Sequence, residues 1–347
     1  MEKAARYVIF GAGAVGCAIG GLLAHAGARV ICVARAAQAE ALRRGITIRW
    51  DGREDVTVKT DAVTSLRDLA PEPGDVVIVT VKAQAMEGVI GELAAAYDAT
   101  APVVCLQNGV RNEEIAAPRF ENVYAGLLMM TAVQLEPQLV TMPRGGAIAI
   151  GRYPAGVDAM ARTIADDLAR TGFEMFASAQ VMAMKWGKLV TNLNNATHAI
   201  TGYSMEKAMA DPEMRRLMAE VREEGLRVLD AAGIEAEPPA AEPSPIRIRK
   251  STEAMRRPPG PADLEKAASG VVSYPSMWQD LYLGRQSNEA ELLNGEIVRL
   301  GREQNIPTPY NSTLLEIIRR MTAEGRKPGL YTPEELRGLI MARPRES

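Results

Sequence analysis

Val8-Ile9-Phe10-Gly11-Ala12-Gly13-Ala14-Val15-Gly16 decides how this chain is read. A short β-branched and aromatic run feeds a G-x-G-x-x-G. An Ala-rich segment continues to Gly27, and a second apolar run, Val30 to Val33, follows at once. Strand, glycine turn, helix, strand is the order of the first βαβ unit of a dinucleotide-binding sheet. Gly11 permits the tight turn, Gly13 lets the main chain approach a pyrophosphate, and Gly16 lets the helix lie close to the strand. The free N–H groups that open the helix, around Ala14 and Val15, then face the phosphates.

The same residues imitate a secretory signal. Lys3 and Arg6 precede a small apolar run, and Ala24-His25-Ala26 mimics a cleavage site. Yet five glycines fall between Gly11 and Gly21, and another strand follows directly. A cleaved signal has no use for phosphate-loop spacing. The run is also too interrupted by turn residues to cross a membrane.

Working outward, 347 residues suffice for two domains with a sizeable core. With 47% apolar and 24% charged residues, disorder is excluded. A net charge of −3 gives no global basic field for nucleic acid or an anionic membrane, so an acidic ligand must be held by local cations. Cys17, Cys32 and Cys105 are scattered and lack metal spacing. They read as buried thiols in a reducing, cytoplasmic setting. Two histidines, His25 and His198, leave no metal site and no spare histidine for a triad.

The first half alternates strand and helix patterns. Helices are expected over 36–44, 86–97 and 156–171, and strands over 45–50, 55–59, 75–81, 102–106, 123–130 and 146–150. From about Val181 the apolar spacing turns helical. Asp211-Pro212 opens one helix, Leu292 to Val298 mark another, and Thr332 to Glu335 form a capping box. The expected class is α/β: an N-terminal Rossmann-type doubly wound sheet over 1–178 and a C-terminal all-helical domain over 179–347. Residues 235–261, rich in Pro, Arg and Glu, read as an excursion outside the core.

The chemistry-bearing residues fall at strand ends and on one helix. Arg35 stands where an acidic residue usually binds the adenosine ribose. An arginine there suits a 2′-phosphate, although a solvated surface arginine would look the same. Lys82 and Asn108 each follow a strand whose carboxyl end should line the ligand crevice, although Asn108-Gly109 also reads as a tight turn. Lys188 and Asn192, four apart, share a helix face. A lone helical lysine is usually solvated, but a Lys/Asn stripe within an apolar helix is harder to dismiss. On an unbroken helix at about 100° per residue, Asn195 lies about 20° from Lys188. Ser276 and Glu289 sit in a segment that reads as a loop and a helix start, with Glu289 favourable near the dipole.

Together these pieces resemble the ketopantoate reductase (2-dehydropantoate 2-reductase) family over almost the whole chain. The resemblance lies in the order of GAGAVG, the arginine after the second strand, Val81-Lys82-Ala83, Gln107-Asn108-Gly109 and the K-L-x-x-N of Lys188 to Asn192. It continues through Ser276-Met277-Trp278-Gln279-Asp280, Gly284-Arg285, the E-x-x-x-x-N-G of Glu289 to Gly295, and Ile306-Pro307-Thr308-Pro309-Tyr310-Asn311. It implies an NADPH-dependent reductase of a 2-keto acid, ketopantoate foremost, acting in pantothenate biosynthesis, with its site between the two domains and no metal. It also implies roles: Lys188 as the catalytic lysine, Glu289 as its acidic partner, and Asn108, Asn192 and Ser276 as substrate-holding groups. Gly11, Gly13, Ala14, Val15, Gly16, Arg35, Lys82 and Asn108 would bind NADP. A homodimer is left open.

The chain departs from the family pattern in three ways. Ala196 replaces a second asparagine that would grip the substrate's distal hydroxyl, with Asn195 as a stand-in. The spacing from Asp280 to Glu289 is one residue long, which leaves Glu291 as an alternative. The 235–261 stretch and the tail after Met321 are extra. The competing readings are a family reductase acting on a different 2-keto acid, an opine-type or 3-hydroxy acid dehydrogenase, and a non-catalytic NADPH-sensing protein. The last predicts tight binding without turnover.

Overall fold

Tyr7, Val8, Ile9 and Phe10 are all buried, which places β1 (Arg6–Phe10) at the centre of the first unit. Alternate side chains of β1 serve opposite faces of the sheet. Tyr7 and Ile9 join one apolar cluster with Cys17, Ile19 and Leu23, while Val8 and Phe10 join another with Met86, Ile90 and Leu93. A strand buried on both sides needs helices on both sides, which is why its sequence is continuously apolar. The structure is a computed structural model and describes residues 5–238, 246–270 and 272–342.

Further strands are β2 (Arg29–Val33), β3 (Ile46–Trp50), β4 (Val56–Val58), β5 (Asp61–Val63), β6 (Asp75–Val79), β7 (Val103–Cys105), β8 (Val123–Glu136), β9 (Leu139–Arg152) and β10 (Glu174–Ala177). Among the described residues they form one sheet in the order β4-β3-β9-β8-β7-β6-β1-β2-β5, with β10 on β9. From β5 through β8 every pairing is parallel, whereas β8–β9 and β3–β4 are antiparallel. The helices of this unit are α1 (Ala14–His25), α2 (Ala36–Arg44), α3 (Met86–Ala96), α4 (Asn112–Ala116) and α5 (Ala159–Ala169).

The chain divides into two compact units, residues 1–182 and 183–347. The described part of the second unit holds no strand. Its helices are α6 (Val181–Asn192), which begins just before the division, α7 (Asn195–Thr201), α8 (Met205–Ala210), α9 (Pro212–Ala231) and α10 (Ile246–Ala254). They continue with α11 (Pro261–Ala268), α12 (Ser276–Tyr282), α13 (Asn294–Glu303), α14 (Pro309–Ala323) and α15 (Pro333–Met341). Asp211 caps α9 by accepting from Met214 N at 2.8 Å, and Thr332 with Glu335 closes the capping box of α15. No described helix is long and apolar enough to cross a membrane.

Three expectations need correction. The strands expected over 123–130 and 146–150 are the inner halves of the long hairpin β8–β9. In its outer half β9 buries Val140 and Met142 in the core and pairs with β3, whereas the apolar pattern lapses along β8, where Leu135 near the tip is 85% exposed. The stretch over 235–261 is not outside the core. Ile248, Thr252 and Met255 are buried, and buried Arg215 of α9 donates to Ala254 O at 2.7 Å and Arg257 O at 3.2 Å. Residues 239–245 of that stretch lie outside the described residues. Finally, the helix through Lys188 is not continuous to Asn195. A turn at Leu193 and Asn194 ends α6 before α7 begins, so the angle expected between Lys188 and Asn195 does not apply.

Candidate active site

Parallel register brings four strand ends level in the first unit. Phe10 pairs with Val33 and with Val79, and Val79 pairs with Cys105. The chain leaves these ends at Gly11, Ala34-Arg35, Lys82 and Asn108, so the glycine turn and three polar side chains share one edge. The strand order reverses between β1 and β6. That is where a doubly wound sheet opens a crevice at its carboxyl edge.

The glycines are explained by close contacts. Gly11 has φ +101°, and a Cβ there would lie 2.5 Å from Val81 Cγ1. At Gly16 a Cβ would lie 2.4 Å from Gly11 O and 2.6 Å from Thr80 Oγ1. Thr80 donates its hydroxyl to Gly11 O at 2.7 Å and so fixes the turn from β6. At Gly13 a Cβ would meet nothing within 4 Å, so no internal packing demands glycine there. An outside group approaching the main chain would. The first intrahelical bond of α1 runs from Cys17 N to Gly13 O. The N–H groups of Ala14, Val15 and Gly16 therefore have no intrahelical acceptor, as anion binding at a helix start requires.

Arg35 is the exposed N-cap residue of α2, and no carboxylate stands between the end of β2 and that helix. Lys82 is exposed after β6. Asn108 is exposed after β7, and its main-chain oxygen accepts from Asn112 Nδ2 at 3.0 Å. Gly109 has φ +89°, so the tight-turn reading of this pair also holds. This edge fits a dinucleotide: a free helix start, a main chain open at Gly13, and cations beside it.

The second unit assembles Lys188, Glu289 and Ser276. Lys188 lies on α6, near the end of the helix, and is half-buried. Burial pushes its ammonium down to about 8. Glu289 opposes that shift and Lys185, one turn earlier and 4% exposed, adds to it. Glu289 does not start a helix as expected. It opens the turn ahead of α13, where its carbonyl accepts from Leu292 N and Leu293 N. Ser276, the first residue of α12, donates to Glu289 Oε2 at 3.4 Å. Glu291 is engaged elsewhere, in an exposed two-point pair with Arg319 at 2.5 and 2.7 Å. The geometry thus favours Glu289 over Glu291 as the carboxylate beside Lys188.

Asn192, the last residue of α6, and Asn195, the first of α7, are both partly exposed, whereas Ala196 is fully buried. Of Asn195 and Ala196, Asn195 is the one a ligand can reach. The sequence reading missed the residues that hold this turn. Arg222 of α9 donates to Thr191 O at 3.2 Å. In the amide orientation that satisfies both of its ends, Asn194 accepts from Arg222 Nε at 2.9 Å and donates to Met218 O at 3.3 Å. Arg222 is buried and its guanidinium is pushed down to about 10. A charged residue beside Val221 on an apolar helix face was the available signal.

Among the described residues there is no cluster of His, Cys, Asp and Glu able to hold a metal, and the three cysteines are buried and form no disulfide.

Comparison with known proteins agrees in both halves. Residues 7–155 match the family described as ketopantoate reductase PanE/ApbA, and residues 180–322 match its C-terminal region. A 2-dehydropantoate 2-reductase of Archaeoglobus fulgidus is 31% identical, with 90% of this chain and 97% of the relative aligned. One from Pyrococcus horikoshii is 27% identical over 92% and 98%. The crystal structure of a PanE/ApbA family ketopantoate reductase from Ralstonia eutropha superposes with a TM-score of 0.76. It is 28% identical, covering 92% of this chain and 99% of that one. The chain belongs to the ketopantoate reductase family of oxidoreductases.

Proposed function

We propose that this chain is an NADPH-dependent reductase that converts 2-dehydropantoate to pantoate, with Lys188 as its acid. The observation that carries the reading is Lys188 held beside Glu289 with its ammonium lowered to about 8. A lysine tuned that far can still give up a proton near neutral pH, which an ordinary surface lysine does poorly.

When bound, NADPH supplies a hydride to the keto carbon. Negative charge then develops on the former carbonyl oxygen. The Lys188 ammonium stabilises that charge and transfers a proton from Nζ to the oxygen, leaving a neutral amine that solvent reprotonates. Glu289 orients the ammonium and keeps it from losing its proton too readily. Ser276 and Asn108 hold the substrate carboxylate, and Asn192 holds the body of the substrate. Gly11, Gly13, Ala14, Val15 and Gly16 seat the pyrophosphate. Arg35 pairs with the 2′-phosphate, and Lys82 and Asn108 complete the cofactor contacts. Buried thiols outside any disulfide support a cytoplasmic setting. Exposed Met205, Leu264, Val272, Tyr282 and Leu283 on the second unit support a homodimer.

With Ala196 buried, Asn195 is assigned to the substrate's distal hydroxyl. Asn195→Ala is expected to raise KM for ketopantoate by about five- to tenfold, the loss of one hydrogen bond. KM for the deoxy analogue 2-keto-3,3-dimethylbutanoate should not change. Steady-state kinetics with the two compounds checks this. A wild-type preference for the deoxy analogue would contradict the substrate assignment and leave the reductase assignment standing.

A further inference from the structure

Asn294 stands in the fully buried interior of the second unit, five residues after Glu289, where stability alone favours an apolar side chain. Its Nδ2 donates to Leu193 O at 3.2 Å and to Asn311 Oδ1 at 2.9 Å, while its Oδ1 has no hydrogen-bond partner. Leu193 is the residue directly after α6, the helix that carries Lys188 and Asn192. Asn294 directly follows the turn that Glu289 opens, and Gly295 N closes that turn onto Ala290 O at 2.9 Å. One amide therefore ties the Glu289 turn to the end of the Lys188 helix. Asn311 is held in its turn by Glu224 of α9. That carboxylate accepts from Asn311 N at 2.7 Å, Asn311 Nδ2 at 2.9 Å and Tyr310 N at 2.9 Å.

We propose that Asn294 is a positioning residue, which keeps Glu289 in register with Lys188 by bonding the end of α6. The inference rests on the proposed roles of those two residues. The charged groups acting on the Lys188 ammonium are Glu289, from the turn, and Lys185, from α6 itself. If the tie is lost, Glu289 drifts, its support of the protonated form weakens, and Lys185 with burial prevails.

The test compares Asn294→Ala with Asn311→Ala, which spares the Asn294–Leu193 bond. The midpoint of Lys188 modification by an amine-reactive reagent is followed against pH by mass spectrometry, alongside kcat for ketopantoate and the NADPH dissociation constant. In Asn294→Ala the midpoint should fall from about 8 by roughly half a unit or more. Its kcat should drop by about tenfold or more with NADPH binding held within about twofold. Asn311→Ala should lower Tm and leave midpoint and kcat near wild type. Should Asn294→Ala not fold, the near-isosteric and uncharged Asn294→Leu, which also lacks the donor, carries the same comparison. Folded variants with wild-type midpoint and kcat would overturn the proposal, as would an equal shift in Asn311→Ala. The labelling midpoint needs no turnover. Absence of ketopantoate reduction by the wild type would therefore count against the functional reading and leave the positioning role to be decided by labelling.

Discussion

Lys188→Ala is expected to lower kcat by about two to four orders of magnitude, the usual size of a general-acid contribution joined to charge stabilisation at a developing oxyanion. The NADPH dissociation constant should stay close to wild type, because the residues assigned to the cofactor all lie in the first unit. Loss of folding would not explain the result. The ammonium is held at about 8 in the folded chain, against 10.5 for an ordinary lysine. Between those two values the unfolded chain binds more protons than the folded one, so stability rises with pH there. Below about 8 the lysine costs the fold its full penalty, of order 1–3 kcal/mol. Removing it at neutral pH should leave Tm unchanged or raised. A variant with near-full turnover would reduce Lys188 to a structural lysine.

Arg35→Ala is expected to raise the NADPH dissociation constant at least about tenfold, since a charge-assisted hydrogen bond to phosphate contributes about 1.5–3 kcal/mol. Binding of NADH, which lacks the 2′-phosphate, should change little. Arg35 follows β2 with no carboxylate beside it to hold a ribose hydroxyl pair, so the wild type should prefer NADPH. Isothermal titration with both cofactors measures this. An equal loss for NADPH and NADH would place Arg35 elsewhere than at the 2′-phosphate.

The polar edge at the carboxyl ends of the strands was legible in the sequence because its parts are local. A glycine turn, a helix start and a polar residue just past a strand are each written within a few positions, and parallel register then levels them. The carboxylate partner of Lys188 was legible only as a pair of alternatives. Glu289 and Glu291 differ in what they meet across the fold, and only the Arg319 pairing separates them. The break between α6 and α7 was illegible. Leu193 and Asn194 carry no proline or glycine, and the interruption is held by side chains from α9 and α13 far along the chain. For the same reason Arg222 went unread, and Asn294 and Asn311 entered only as members of the family pattern with no role, although each satisfies a buried main-chain or carboxylate group. The helix over Ile246–Ala254 was hidden by composition: its Arg- and Lys-rich face masks the few apolar contacts, such as Ile248, that bind it to the unit.

The central claim, ketopantoate reduction with Lys188 as the acid, is tested most directly by kcat/KM for NADPH-dependent ketopantoate reduction from about pH 6 to 10. Reduction needs the protonated amine. The profile should be level up to about 8, where Lys188 titrates, and then fall roughly tenfold per pH unit. The reverse oxidation should rise over the same range, and Lys188→Ala should abolish the limb along with most of the rate. Tight NADPH binding without turnover, or an alkaline limb that survives in Lys188→Ala, would contradict the account.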